Sequence, residues 1–216
     1  MKKHFDTLLL DLDGTLIDSR KDLSTAVNHV LKELGHKPQT LEQIVPKIGN
    51  GLRKLLTDSL GLTDKKILDQ AKIIFDEQYL NHCVDETTVY SGVIETLEAV
   101  KNKLKCGIVT NKPEKYTEKI LSTLGLKPYF QAVVGGDTLP FTKPQPEPLN
   151  EALKRLGSTA TCALMVGDGI QDVLASKAAT VDICLVEYGF GFHMELLTMS
   201  PTYIGKSFSE IKEIVL

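Results

Sequence analysis

Long hydrophobic runs are missing from this chain: the apolar stretch nearest its start is Leu8-Leu9-Leu10, and Asp11 ends it. A secretion signal needs about seven to fifteen apolar residues and a membrane span about twenty, so neither is expected and a cytoplasmic protein is. An excess of one charge is also lacking. The 216 residues carry 25 Lys and Arg against 28 Asp and Glu, a net charge of −3 with both signs interspersed. No basic stripe is available to neutralise a nucleic-acid backbone, which excludes nucleic acid as the expected partner. Cysteine is scarce: Cys83, Cys106, Cys162 and Cys184 stand far apart with no C-x-x-C pair. That pattern fits reduced, mostly buried thiols and excludes a disulfide or zinc framework. No internal repeat or low-complexity segment is present. No G-x-G-x-x-G accompanies Val134-Gly135-Gly136-Asp137, which removes a nicotinamide-binding reading.

What is present is ample core material, 42% hydrophobic against 25% charged residues, the balance of a globular protein. Short apolar runs at Thr7 to Leu10, Cys106 to Val109, Ala132 to Val134, Ala163 to Val166 and Val181 to Val186 read as strands buried on both faces. Helical spacing separates the later ones: Val93, Leu97 and Val100, then Tyr116, Ile120 and Leu124, then Leu149, Leu153 and Leu156. Alternation of strand and helix predicts a parallel α/β sheet with helices on both faces. The segment from Thr15 to Val89 breaks the alternation. It contains no evident strand, but Leu23, Ala26, Val27, Val30, Leu31 and Leu34 follow helical spacing up to a Gly35 stop, and further helical patterns occur at Leu52 to Leu56 and Ile67 to Tyr79. About seventy residues exceed any ordinary strand-to-helix connection, so an inserted helical subdomain is expected after the first strand.

Chemistry gathers where the strands end. Asp11 and Asp13 share one side of the chain at the end of the first strand, which places two carboxylates together. Thr110 and Asn111 follow the Cys106 to Val109 run, Gly167-Asp168 leads to Asp172 after the Ala163 to Val166 run, and Lys143 precedes Pro144 ahead of a helix. In an open parallel sheet the carboxyl ends of strands share one edge, the edge where ligands bind. Singly, each group has a plain explanation as a turn, a helix entry or a surface side chain; their joint placement does not. A hard divalent cation relieves the repulsion of such carboxylates. With Lys143 balancing charge, and Thr110 and Asn111 donating hydrogen bonds, the set suits a phosphoryl group.

The ordered elements Asp11-Leu12-Asp13-Gly14-Thr15-Leu16, Thr110-Asn111, Lys143-Pro144 and Gly167-Asp168 with Asp172 resemble the four motifs of the haloacid dehalogenase superfamily. The resemblance implies a Rossmann-like core at residues 1–15 and 89–216 and a C1-type helical cap at residues 16–88. It implies Asp11 as the nucleophile that forms an aspartyl-phosphate, and Asp13 as the acid and then the base. It implies Mg²⁺ held by Asp11, the backbone carbonyl of Asp13 and Asp168, with Asp172 supporting the shell. Further stretches, among them Tyr90-Ser91-Gly92-Val93, Thr110-Asn111-Lys112-Pro113 and Lys143-Pro144-Gln145-Pro146, look like the phosphoglycolate phosphatase branch across nearly the whole chain. By that likeness the Gly49-Asn50-Gly51 turn of the cap faces the site and helps choose the substrate. Two departures stand out. Gly169 occupies a position where this branch often has Ser, and Ala178-Ala179-Thr180 replaces a more usual Ala-Gly helix ending.

The expected function is Mg²⁺-dependent hydrolysis of a small phosphorylated metabolite, with 2-phosphoglycolate favoured. Pyrophosphate, sugar phosphates and amino-sugar phosphates are alternative substrates, and a phosphoglucomutase-like isomerase is the alternative reaction. Dehalogenation does not need the second carboxylate, and Asp13 is present. Monomer and homodimer both stay open.

Overall fold

The computed structural model describes residues 3–216, so the first two residues of the expected 1–15 segment lie outside the described residues. In chain order the elements are β1 (Thr7–Leu10), β2 (Ile17–Asp18), α1 (Arg20–Glu33), α2 (Leu41–Ile44), α3 (Leu52–Leu60), α4 (Lys65–His82) and β3 (Thr88–Val89). Then follow α5 (Val93–Val100), β4 (Lys105–Val109), α6 (Glu114–Thr123), β5 (Ala132–Val134), α7 (Glu147–Leu156), β6 (Ala163–Gly167), α8 (Ile170–Ala179), β7 (Asp182–Val186), β8 (Tyr203–Gly205) and α9 (Ser209–Val215). Six strands form one parallel sheet in the order β5-β4-β1-β6-β7-β8. This is the α/β class that the apolar runs predict.

The runs are apolar throughout because both faces of the sheet are covered. Leu8 and Leu10 pack on one side with Phe5, Val93, Leu97 and Ile120, while Leu9 packs on the other with Leu149, Leu153 and Val173. β1 lies at the centre, with Leu10 beside Ile108 of β4 and Val166 of β6. The residues that follow these three strands therefore emerge side by side at one edge.

Helices α1 to α4 fall between β2 and β3, and α1 packs against α4. Their apolar faces close around Val27, Leu31, Leu56, Ala71 and Phe75. One expectation is corrected here. The Thr15 to Val89 segment does hold strands, since β2 and β3 pair antiparallel, Ile17 with Val89 and Asp18 with Thr88. Two residues per strand are too few to show a period of two, so the ribbon leaves no pattern in the sequence. It joins the two chain crossings between the sheet and the helices. Buried Asp22 of α1 reinforces the same place by accepting hydrogen bonds from the Glu86 and Thr87 backbone N–H groups and the Thr87 hydroxyl.

Cys83, Cys106 and Cys184 are buried, Cys162 is half-buried, and all four are free thiols. No helix among the described residues is long and apolar enough to cross a membrane.

Candidate active site

Asp11 stands one residue beyond β1, Thr110 one beyond β4 and Asp168 one beyond β6, and the parallel register brings all three to one edge. The Asp11 N–H is held by the Val166 carbonyl at 3.0 Å, and the Thr110 N–H by the Val134 carbonyl at 3.0 Å, which extends the ladder just past the strands. Asp172 lies in the first turn of α8, where its carboxylate accepts from the Gly169 N–H at 3.0 Å. Asp168 lies before that helix, so the two carboxylates meet because the loop folds back, not because they share a helix face.

One carboxylate oxygen from each of Asp11, Asp168 and Asp172 lies within 4.8 Å of the other two, and all three residues are buried. The buried Lys143 ammonium reaches into this group, donating to Asp11 at 2.8 Å, Asp172 at 2.6 Å and the Val109 carbonyl at 2.7 Å. Asp168 instead accepts from the Gly191 N–H at 2.7 Å and the Thr15 hydroxyl at 3.4 Å. Three carboxylates face one ammonium, so the cluster carries two negative charges in excess when all three are ionised. Burial, and then Asp11 and Asp172, push the Asp168 carboxyl well above the usual carboxylate range. Burial likewise pushes Asp11 up to about 6 against the opposing pull of Lys143. Burial also works against the Lys143 charge, but Asp11 and Asp172 outweigh it and hold the ammonium above its ordinary pKa. An oxygen-lined group with this surplus fits a hard divalent cation, which takes carboxylate ligands and removes the repulsion.

The Asp13 carboxylate is not part of this cluster. Lys112 grips both of its oxygens at 2.8 and 2.7 Å, and the Ser19 hydroxyl donates to it at 2.5 Å. Gly14 follows Asp13 in a turn that packs against Asp168. Its φ is +88°, and a Cβ there would lie 2.0 Å from an Asp168 carboxylate oxygen. Only glycine allows that turn and that approach together.

The other residues singled out in the sequence also meet here. The Thr110 hydroxyl accepts from the Lys112 N–H at 3.2 Å, which leaves its own proton to donate. The Asn111 amide is already engaged: its NH₂ donates to the Gly49 carbonyl at 2.9 Å and the Lys143 carbonyl at 2.8 Å, and its oxygen accepts from the Lys143 N–H at 2.9 Å. This side chain therefore ties the Gly49 loop and the Lys143 loop together at the cavity wall. Gly49, Asn50 and Gly51 line the same cavity as Asp11, and the Gln171 amide donates to the Asn50 side chain. The cavity measures about 370 Å³.

Sequence reading missed Lys112, Ser19, Tyr79 and Gly191. Lys112 stands inside the quoted stretch Thr110-Asn111-Lys112-Pro113 and Ser19 three residues past the Asp11 to Leu16 motif, so proximity to a motif was the available signal. Tyr79 and Gly191 reach the site only through tertiary packing.

Residues 8–186 match the model of the haloacid dehalogenase-like hydrolase family. A phosphoglycolate phosphatase of Psychrobacter arcticus is 35% identical over 218 residues, covering 97% of this chain and 95% of that protein. Phosphoglycolate phosphatase 1 of Pseudomonas aeruginosa is 37% identical over 206 residues, covering 91% of this chain and 75% of that protein. Among solved structures, a predicted phosphoglycolate phosphatase from Haemophilus somnus 129PT superposes with a TM-score of 0.92 at 28% identity, covering 97% of both chains. With a six-stranded parallel sheet, an acidic cluster at its carboxyl edge and a family match over most of its length, the chain belongs to the haloacid dehalogenase-like hydrolases.

Proposed function

We propose that this protein is a Mg²⁺-dependent phosphatase that hydrolyses a small phosphate monoester, with 2-phosphoglycolate favoured, through an aspartyl-phosphate on Asp11. One observation carries the reading: a buried carboxylate, Asp11, is oriented by a buried ammonium inside a cluster with surplus negative charge, while a second carboxylate, Asp13, stands outside the cluster on its own partners. The choice of 2-phosphoglycolate is supported by the relatives that bear that name over nearly the whole chain. The match to this fold supports the assignment of residues 1–15 and 89–216 as the catalytic core and residues 16–88 as its cap.

Asp11, Asp168 and the Asp13 backbone carbonyl would hold the cation, with Asp172 supporting them. When bound, Mg²⁺ acts as a Lewis acid that stabilises charge on the phosphoryl oxygens. Lys143 engages one oxygen of Asp11, which leaves the other to attack phosphorus. As that bond forms, the ester P–O bond breaks, and Asp13 in its acid form gives its proton to the departing oxygen. Water then attacks the aspartyl-phosphate, its proton passes to the Asp13 carboxylate, and phosphate leaves Asp11 as a free carboxylate. The Thr110 hydroxyl donates to the phosphoryl group throughout.

Phosphate release measured over 2-phosphoglycolate, pyrophosphate, glucose phosphates and amino-sugar phosphates tests this reading. The expected result is Mg²⁺-dependent release abolished by a chelator, with the highest kcat/KM on 2-phosphoglycolate. Asp13→Asn should lose about 10²- to 10⁴-fold, the usual share of acid-base help. Near-normal turnover by Asp11→Asn would refute the covalent route. Isomerisation of a phosphosugar without phosphate release would replace the hydrolase reading with the mutase one.

A further inference from the structure

Lys112 and Tyr79 have no part in the steps above, although both line the cavity that holds Asp11 and Asp13. Lys112 follows β4, and its side chain is only 4% exposed. Two of its ammonium hydrogens are spent on Asp13. A third is left, and the ring of Tyr79 on α4 lies 5.1 Å from the nitrogen. Tyr79 is 1% exposed, and its hydroxyl has no hydrogen-bond partner among the described residues. Burial, and then the Asp13 charge, keep that hydroxyl in its protonated, donating form. An unmade hydrogen bond on a buried hydroxyl costs free energy, so such a group in a cavity wall marks the position of a missing partner.

The other cations near the cavity are already occupied. All three N–H groups of Lys143 are taken by Asp11, Asp172 and the Val109 carbonyl. In the cap, Lys47 donates to Gln39, Arg53 pairs with Asp69 and Lys54 pairs with Asp58, and none of the three lines the cavity. With the Thr110 hydroxyl given to the phosphoryl group at Asp11, a second anionic group of the ligand meets, among the described residues of the cavity wall, a cation with a spare hydrogen, Lys112, and a neutral donor, Tyr79. Two donors match the two oxygens of a carboxylate.

We infer that Lys112 and Tyr79 form the subsite for the second anionic group of the substrate, the carboxylate of a phosphorylated hydroxy acid, and so set specificity for phosphate esters that carry one. This inference rests on the phosphatase reading of the Asp11 site. Lys112 lies on the core and Tyr79 on the cap, so a carboxylate bound between them also joins the two parts of the molecule.

Steady-state kinetics on 2-phosphoglycolate and on ethyl phosphate, which is similar in size but has a neutral tail, test the inference. In Lys112→Met the ratio of kcat/KM for 2-phosphoglycolate over ethyl phosphate should fall about 10- to 100-fold, the range for a hydrogen bond to a charged group. In Tyr79→Phe, which keeps the ring and its packing, the same ratio should fall several-fold through KM, and Lys112→Arg should recover part of the Lys112→Met loss. A structural role, or a hydroxyl that holds only water, lowers both substrates alike and leaves the ratio unchanged, which overturns the inference. A wild type that prefers another ester refutes the favoured substrate but not the subsite, because the ratio is still measured. If no ester is turned over, the phosphatase reading fails by itself. Calorimetric titration of both compounds then decides on the subsite, and equal affinity overturns it.

Discussion

Asp168→Asn separates the electrostatics of the cluster from its chemistry. At 4.8 Å, the upper limit of the spacing between the facing oxygens, two carboxylates repel by about 3.5 kcal/mol at an effective dielectric constant of about 20. Lys143 cancels one of the two neighbouring charges, so Asp168 faces roughly one net negative charge and a penalty of about 3 kcal/mol. Asparagine removes that penalty but places an NH₂ where one oxygen now accepts from Gly191 or Thr15, a loss of about 1 kcal/mol. The balance is a gain of about 2 kcal/mol for the cation-free protein, or roughly 4 to 8 °C in Tm for a chain of this size. Saturating Mg²⁺ should reverse the order. A cation at about a hundred times its Kd stabilises the wild type by about 2.7 kcal/mol, whereas the variant has lost an anionic ligand. Thermal unfolding followed by circular dichroism, in chelator and then in Mg²⁺, measures both terms. A variant less stable than wild type in chelator, or one with the wild-type Mg²⁺ shift, would refute the charge reasoning.

Three further outcomes are expected. The folded protein holds the Asp11 proton up to about pH 6, whereas the unfolded chain releases it near its ordinary value of about 3.9. In chelator the wild type should therefore lose about 3 kcal/mol relative to Asp11→Asn as pH rises between those values and nothing more above them, read from urea midpoints. Asp22→Ala should cost about 2 to 4 kcal/mol, because it strands the Glu86 and Thr87 donors at the chain crossing; urea unfolding measures it. Thr180 closes α8 with φ +58°, a left-handed conformation that opposes a β-branched side chain, so Thr180→Gly should stabilise by about 1 kcal/mol in the same assay.

The positions of Asp11, Thr110 and Asp168 were legible because each stands just past an apolar run, and parallel pairing turns that linear fact into a shared edge. The Thr180 departure was legible as an anomaly, and the helix nevertheless ends there in the geometry a glycine would take. Gly169 turns out to need no glycine, since its φ is −117° and a Cβ there would meet nothing closer than 3.6 Å. Asn111 was legible as a site residue but not in what it touches. Its amide bonds to Gly49 and Lys143 join segments 62 and 32 residues away, and no local pattern encodes such pairs. The short strands β2 and β3, and the meeting of Lys112 with Tyr79, were hidden for the same reason.

Those long-range partners divide the labour between two chemically identical residues. Asp11 and Asp13 are two positions apart, and by themselves they are interchangeable carboxylates. Lys143 reaches the first from a loop 132 residues away, and Lys112 reaches the second from 99 residues away, so each aspartate receives its own cation. The Gly14 turn leaves room for Asp168 to pack against it, while Asp13 keeps the Ser19 hydroxyl. A net charge of −3 is thus no obstacle to an anionic substrate. The surplus negative charge is gathered where a bound divalent cation would reverse its sign, and the lysine with a spare hydrogen stands on the other aspartate.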